Sequence, residues 1–209
     1  MGGNKLFLTR GGAPLQEGLI ARMSRIFSEL VFCVGRGESG RAEAFLRPCL
    51  GGLRAVFTED RENGRGPLEG LRQGLAASRR EWVFLIGCDM PFPNEAVIRA
   101  MWGRTGGADA AAARLDGYPM SLHAFYRKSC LPHIDRVMED GPHTQRGGAK
   151  ITAFYADVAL RVVEEAELAF LPGYRDSFAG FNTREELERL MPERRCTRSS
   201  RSLSRSRSA

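Results

Sequence analysis

The stretch Cys88-Asp89-Met90-Pro91-Phe92 follows directly on an apolar run from Trp82 to Gly87 that has the length and composition of a buried strand. In open α/β sheets ligands collect beyond the carboxyl ends of the strands, so Asp89 stands where a carboxylate faces a site. Its hard oxygens suit Mg²⁺, with water and substrate phosphates completing the octahedron; an Asp capping the next turn is the plainer alternative. The opening Met1-Gly2-Gly3-Asn4-Lys5 places two glycines, whose backbone N–H groups approach anions closely, next to a lysine. That pairing suggests a phosphate cradle, although it is not a Walker pattern and an initiator region can be Gly-rich for no reason. A third element, Gly64 to Gly70, is a flexible strand-to-helix connection preceded by Asp60. Asp60 is then either a site acid on the same sheet edge or a solvated loop acid.

Other patterns carry less. Gly35-Arg36-Gly37-Glu38-Ser39-Gly40 is literally GxGxxG and has Glu59 and Asp60 about twenty residues on, as a dinucleotide fingerprint would. The segment after it is interrupted by Pro48 and predicts a poor crossover helix, and Glu38 would present the wrong charge to a pyrophosphate. His123, His133 and His143 lie on separate elements with no i, i+4 pairing, which gives zinc little support. No GxSxG elbow is present, and Cys33 and Cys88 have no neighbouring His, so nucleophilic hydrolysis has no candidate.

The elements that must position these residues follow an α/β grammar. Apolar positions from Leu19 to Leu30 predict a helix opened by Pro14, followed at once by a buried strand over Val31 to Val34. Leu53 to Phe57 reads as strand, Pro67 opens a helix through Leu68, Leu71 and Leu75, and Trp82 to Ile86 is again strand. Pro93 opens a helix through Val97 and Met101; Ala108 to Leu115 and Met120 to Tyr126 are extended, and Ser129 to Met138 is helical. Ile151 to Tyr155 and Val158 to Val163 read as strands. Thr183 caps a short helix to Leu190, with Glu186 completing a capping box. Strands apolar on both faces imply a covered, mostly parallel sheet, hence a three-layer α/β single domain.

A chain of 209 residues can bury its own core without staples, and no apolar stretch approaches the roughly 18 residues that span a bilayer. The net charge of +6 is carried by Arg194, Arg195, Arg198, Arg201, Arg205 and Arg207, with no acid after Glu193. The body is therefore neutral and lacks the field of a polyanion binder, so no nucleic-acid partner is expected. The Arg/Ser stretch 194–209 cannot bury enough surface to offset its entropy and is expected to be disordered. The five cysteines form no CxxC pair and mostly sit in apolar settings. They read as reduced core thiols of a cytoplasmic protein, and the first residues show no apolar leader.

Taken in order and spacing, MGGNK, GPLEGL, CDMPF and FNTREEL resemble the MobA-like nucleotidyltransferases, the molybdenum cofactor guanylyltransferases, over residues 1 to about 191. The resemblance implies a Rossmann-like fold of the nucleotide-diphospho-sugar transferase kind, with GTP across the sheet edge. The family signature opens L-x-G-G-x-S-x-R-M-G-x-x-K, and Met1 to Lys5 match its back half. The domain, residues 1–193, is thus expected to lack the first strand and the front half of the phosphate loop. By the same resemblance, Lys5 and Asp89 are catalytic. Lys5 contacts the GTP phosphates, Asp60 the nucleoside, and Asp89 holds Mg²⁺. Asn182 and Pro119 fall on the acceptor side. The implied reaction transfers GMP from GTP to molybdenum-molybdopterin cofactor and releases pyrophosphate, with other cofactor-assembly proteins and molybdoenzymes as further partners. The family's asparagine after the second strand has no counterpart in FCVGRGES. Two alternatives stand beside this one: a transferase using CTP or another NTP, on this cofactor or a sugar phosphate, and an inactive truncated homologue.

Overall fold

The computed structural model describes residues 5–61, 66–140 and 149–192. They fall into two compact units, Gly2 to Gly180 and the stretch from Phe181 onward. The expected tail, 194–209, lies outside the described residues.

In the larger unit, a 3₁₀ turn at Lys5–Phe7 leads to a small hairpin of β1 (Thr9–Arg10) and β2 (Ala13–Pro14) around Gly11 and Gly12. Both glycines have positive φ, as a tight two-residue hairpin turn requires. Then come α1 (Glu17–Met23), β3 (Glu29–Val34), α2 (Ser39–Leu46), β4 (Arg54–Glu59), α3 (Pro67–Ala77), β5 (Trp82–Ile86), α4 (Glu95–Trp102), β6 (Ala110–Leu115), β7 (Tyr118–Arg127), α5 (Leu131–Asp140) and β8 (Leu160–Glu164). β3 and β4 form a parallel pair, while the remaining strands line up as β5-β7-β6-β8. The α/β class stands, but the sheet is mixed: β7 runs antiparallel to both β5 and β6, and β6 pairs parallel with β8.

Three layers follow from period-two burial in β6. Ala110 and Ala112 face α3 and α5 through Leu68, Leu71, Leu75 and Ile134. Ala111 and Ala113 face the opposite way, onto Val97 and Met101 of α4 and Leu19 and Met23 of α1. α2 closes a smaller cluster in which Ala42 and Leu46 meet Val34 and Ile20.

Several local expectations are corrected. The first helix runs only from Glu17 to Met23, with Pro14 in β2 and turn-type bonds from Arg25 and Ile26 after it. The segment interrupted by Pro48 does form a crossover helix, α2, because it ends at Leu46 and a 3₁₀ turn at Arg47–Cys49 takes the proline. Ile151 to Tyr155 is no strand but part of a 3₁₀ helix, Ile151–Asp157. Its buried residues Ile151 and Phe154 are three apart, the period at which 3₁₀ side chains eclipse. In the smaller unit α6 (Arg184–Leu190) follows Thr183, whose hydroxyl accepts from the Glu186 N–H; the Glu186 carboxylate accepts from the Thr183 N–H, as a capping box should.

Candidate active site

Asp89 sits just past the carboxyl end of β5, in a turn in which Met90 N–H donates to the Gly87 carbonyl. Its Oδ2 accepts from Lys5 Nζ at 2.8 Å, so two residues 84 positions apart meet at this edge. Each side chain is about three-quarters covered, 23% and 24% exposed, which leaves both reachable by a ligand. Lys5 is placed by its own backbone: the buried Gln16 side chain donates to the Lys5 carbonyl, at 3.3 Å, from the start of α1.

Gly87 and Gly180 fix how Asp89 lies. A Cβ on Gly87 would stand 2.5 Å from Asp89 Oδ1, and one on Gly180 would stand 3.3 Å from the Asp89 carbonyl. The carboxylate is thus folded back over Gly87, where an added Cβ would push it aside. Gly87 N–H donates to the Leu122 carbonyl, tying the turn to β7. Farther along, Asn94 caps α4, and its N–H donates to Ser177 Oγ at 2.8 Å. Ser177 also bonds the buried His123 Nε2 at 2.9 Å. Burial holds the His123 imidazole down to a pKa of about 3, so it is a neutral structural partner rather than a base.

Asp60 directly follows β4, and its N–H donates to the Val34 carbonyl, which puts it on the same carboxyl edge. It is separated from the Lys5–Asp89 pair by β3. Burial, with the Glu69 and Glu38 carboxylates adding to it, pushes Asp60 up to a pKa of about 6. Glu69, almost fully buried in the first turn of α3, accepts from Arg61 N–H at 2.9 Å and from Gln73 Nε2 at 2.7 Å.

Pro119 is exposed on β7 opposite Arg114. Because Ile86 pairs with His123, β7 overshoots the end of β5, and Pro119 projects about 13 Å beyond it on the carboxyl side at the usual strand rise. Asn182, in the smaller unit, donates its N–H to Glu186 at 2.6 Å.

The GxGxxG segment holds no room for a phosphate. Glu59 already occupies the start of α2, accepting from Gly37 N–H and Ser39 N–H at 2.9 Å each and from Ser39 Oγ at 2.5 Å. These bonds hold the Glu59 carboxyl down to a pKa of about 2. The thiols are equally unsuited to catalysis: burial pushes Cys88 up to about 11 and Cys33 up to about 12. Sequence reasoning singled out Lys5, Asp60 and Asp89, which the structure sets on one edge, and passed over Gln16, Gly87, Ser177 and Gly180. Of these, Gly87 had a signal, a glycine breaking the apolar run two residues before the acid.

A sheet edge that presents an ammonium, a carboxylate and a second acid to one side is the layout of a nucleotide-handling α/β transferase. Residues 1–158 match the MobA-like NTP transferase domain, and the chain belongs to that family of nucleotidyltransferases. It is 34% identical over 179 residues, 84% of this chain and 76% of the relative, to a probable molybdenum cofactor guanylyltransferase of Methanosarcina mazei. Molybdopterin-guanine dinucleotide biosynthesis protein A of Archaeoglobus fulgidus superposes with a TM-score of 0.70 at 24% identity, covering 90% of this chain and 89% of its own. The 2-C-methyl-D-erythritol 4-phosphate cytidylyltransferase of Thermus thermophilus shares the fold at a TM-score of 0.61 and 17% identity, over 90% and 92% of the two chains.

Proposed function

We propose that this protein transfers the guanylyl group of GTP to molybdenum-molybdopterin cofactor, forming the guanine dinucleotide cofactor and releasing pyrophosphate. The observation that carries the proposal is the 2.8 Å pairing of Lys5 with Asp89 at the carboxyl end of β5, in a chain whose relatives are named for that reaction. The terminal phosphate of the acceptor is already anionic, so no base is needed to generate the nucleophile and no covalent enzyme intermediate is required. The phosphate oxygen attacks the α-phosphorus, and the α–β bridging oxygen leaves with pyrophosphate. The protein's tasks are in-line positioning and neutralisation of charge.

Lys5 serves the second task, its ammonium turning from Asp89 to the triphosphate when nucleotide arrives. Among the described residues no three His, Cys, Asp or Glu side chains cluster as a metal cage. Asp89 alone, a hard and partly open carboxylate, fits the mode in which Mg²⁺ takes one protein ligand and completes its shell with substrate oxygens. Bound there, Mg²⁺ supplies Lewis-acid stabilisation of the phosphate charge. Asp60 contacts the nucleoside, and the β7 overhang around Pro119 belongs to the acceptor side. The four described cysteines are free thiols, in keeping with a cytoplasmic enzyme; molybdoenzymes and other cofactor-assembly proteins are its downstream partners.

Asp89→Ala tests the assignment. It should lower kcat by about 10²–10³, or about 3–4 kcal/mol of transition-state stabilisation. Turnover near the parent rate with Mg²⁺ and GTP present would discard Asp89 as the metal-bearing residue.

A further inference from the structure

Asp60, just past β4, is held from both sides, and the second hold comes from a residue that the reaction does not use. Asp60 N–H donates to the Val34 carbonyl at 2.8 Å, which fixes the peptide ahead of it. Arg61 N–H donates to Glu69 Oε1 at 2.9 Å, which fixes the peptide behind it. Each peptide is planar, so the two bonds leave φ and ψ of Asp60 little freedom and set the direction in which its side chain leaves the backbone.

Glu69 is an unusual residue for its place. It is the third residue of α3 and only 2% exposed, while Leu68, Leu71 and Leu75 of the same helix are core residues. A carboxylate is costly to bury there unless its oxygens are hydrogen-bonded. A glutamate at this helical position ordinarily turns back to the N–H of the capping residue, which here is Gly66. Glu69 reaches farther back, to Arg61. Its rotamer is held by Gln73, one turn on, whose Nε2 donates to the same Oε1 at 2.7 Å. It also lies near enough to Asp60 that its charge adds, after burial, to the rise of the Asp60 pKa to about 6. Leucine would serve packing better, and a cap would use the Gly66 N–H. The carboxylate instead ties the turn after β4 to the helix that follows.

We propose that Glu69 is a positioning residue for Asp60: through the Arg61 N–H it holds the nucleoside-contacting acid in its binding orientation before GTP arrives. The proposal rests on the nucleoside role given to Asp60 above. Glu69 itself is too buried to touch a ligand, so its effect passes through the backbone, with Gln73 as its brace.

The test is a double-mutant cycle on the full chain, read as the Kd for GTP with Mg²⁺ by calorimetric titration. Work at pH 8, well above the Asp60 value of about 6, keeps that acid ionised in parent and variants. Glu69→Met, close in shape but with no acceptor oxygen, should weaken GTP about tenfold, the cost of ordering one acid and its turn on binding. Glu69→Ala serves as a second acceptor-free variant should the first not fold. Glu69→Gln keeps an Oε1 that accepts from Arg61 N–H and should stay within about threefold of the parent. Asp60→Ala should weaken GTP at least about tenfold, and adding Glu69→Met to it should cost less than about twofold more, since nothing is left to position. Without nucleotide, the Arg61 amide should exchange at least about tenfold faster in Glu69→Met than in the parent or in Glu69→Gln. Equal weakening by Glu69→Gln and Glu69→Met, a Glu69→Met penalty that persists in the Asp60→Ala background, or an Arg61 amide equally protected in every variant would overturn the proposal. So would parent-like affinity in Glu69→Met beside a weakened Asp60→Ala, a result that leaves the guanylyl reading standing. Parent-like affinity in Asp60→Ala, or a parent that binds no GTP, strikes that reading itself, and the proposal falls with it.

Discussion

Gly87→Ala separates positioning from folding. The added Cβ would stand 2.5 Å from Asp89 Oδ1, well under a van der Waals contact. Gly87 is not among the glycines with positive φ, so alanine brings no backbone strain there. The clash is with the far end of a side chain, and the carboxylate relieves it by turning away by about 1 Å, a displacement that at a reacting centre costs about 10²-fold in rate. The stability cost is much smaller. Turning breaks one partly exposed ion pair with Lys5, worth about 1 kcal/mol or less, or about 2–4 °C in Tm for a chain of this size. The assay is pyrophosphate release from GTP with Mg²⁺ and molybdenum-molybdopterin cofactor, run beside a melt of the same preparation. A fall in kcat of about 10²-fold with a near-parent melt is expected. A turnover within twofold of the parent would show that the orientation of Asp89 does not matter and would refute the reasoning.

Ser177→Ala should act through the fold: it strips the partner from Asn94 N–H and from the buried His123 Nε2, whose ring has no bonded Nδ1 among the described residues. Leaving these groups unpaired costs about 1–3 kcal/mol, read as a Tm lower by about 3–10 °C; an unchanged melt would show that the network is not holding the segment. Asp60 gives a stability signature with a definite sign. Its pKa rises to about 6 in the folded protein from 3.8, so the folded state holds a proton that the unfolded state has lost between those values, and stability falls as pH rises through that window. Asp60→Asn should therefore stabilise by about 1 kcal/mol at pH 7 after allowance for solvent screening, and by nothing near pH 3.5. Urea melts at both pH values check this, and an equal effect at the two would contradict it.

Much of the frame was legible because local chemistry and tertiary packing agree. Pro67 is the first residue of α3, and the apolar run Trp82 to Ile86 is β5 residue for residue. Thr183 and Glu186 form the capping box their spacing announces. Where reading failed, a competing rule won. The antiparallel course of β7 was written in Asp116-Gly117, both at positive φ between strands, the dipeptide that favours a tight hairpin. Pro48 ended α2 rather than preventing it, since a proline just past a helix costs no interior bond. Asp89 was visible as an acid at a strand end. Its union with Lys5 across 84 residues was not, because nothing local sets that distance. The constraint on Gly87 is likewise a property of the turn, seen only once Asp89 Oδ1 has a place.

The central claim is that the guanylyl group itself changes hands. The protein incubated with Mg²⁺, molybdenum-molybdopterin cofactor and GTP labelled at the α-phosphorus should place the label in the cofactor, leave pyrophosphate unlabelled, and do so faster than with labelled CTP. Label that stays in guanine nucleotides while the pterin remains unmodified, or that transfers preferentially from CTP, would contradict the account.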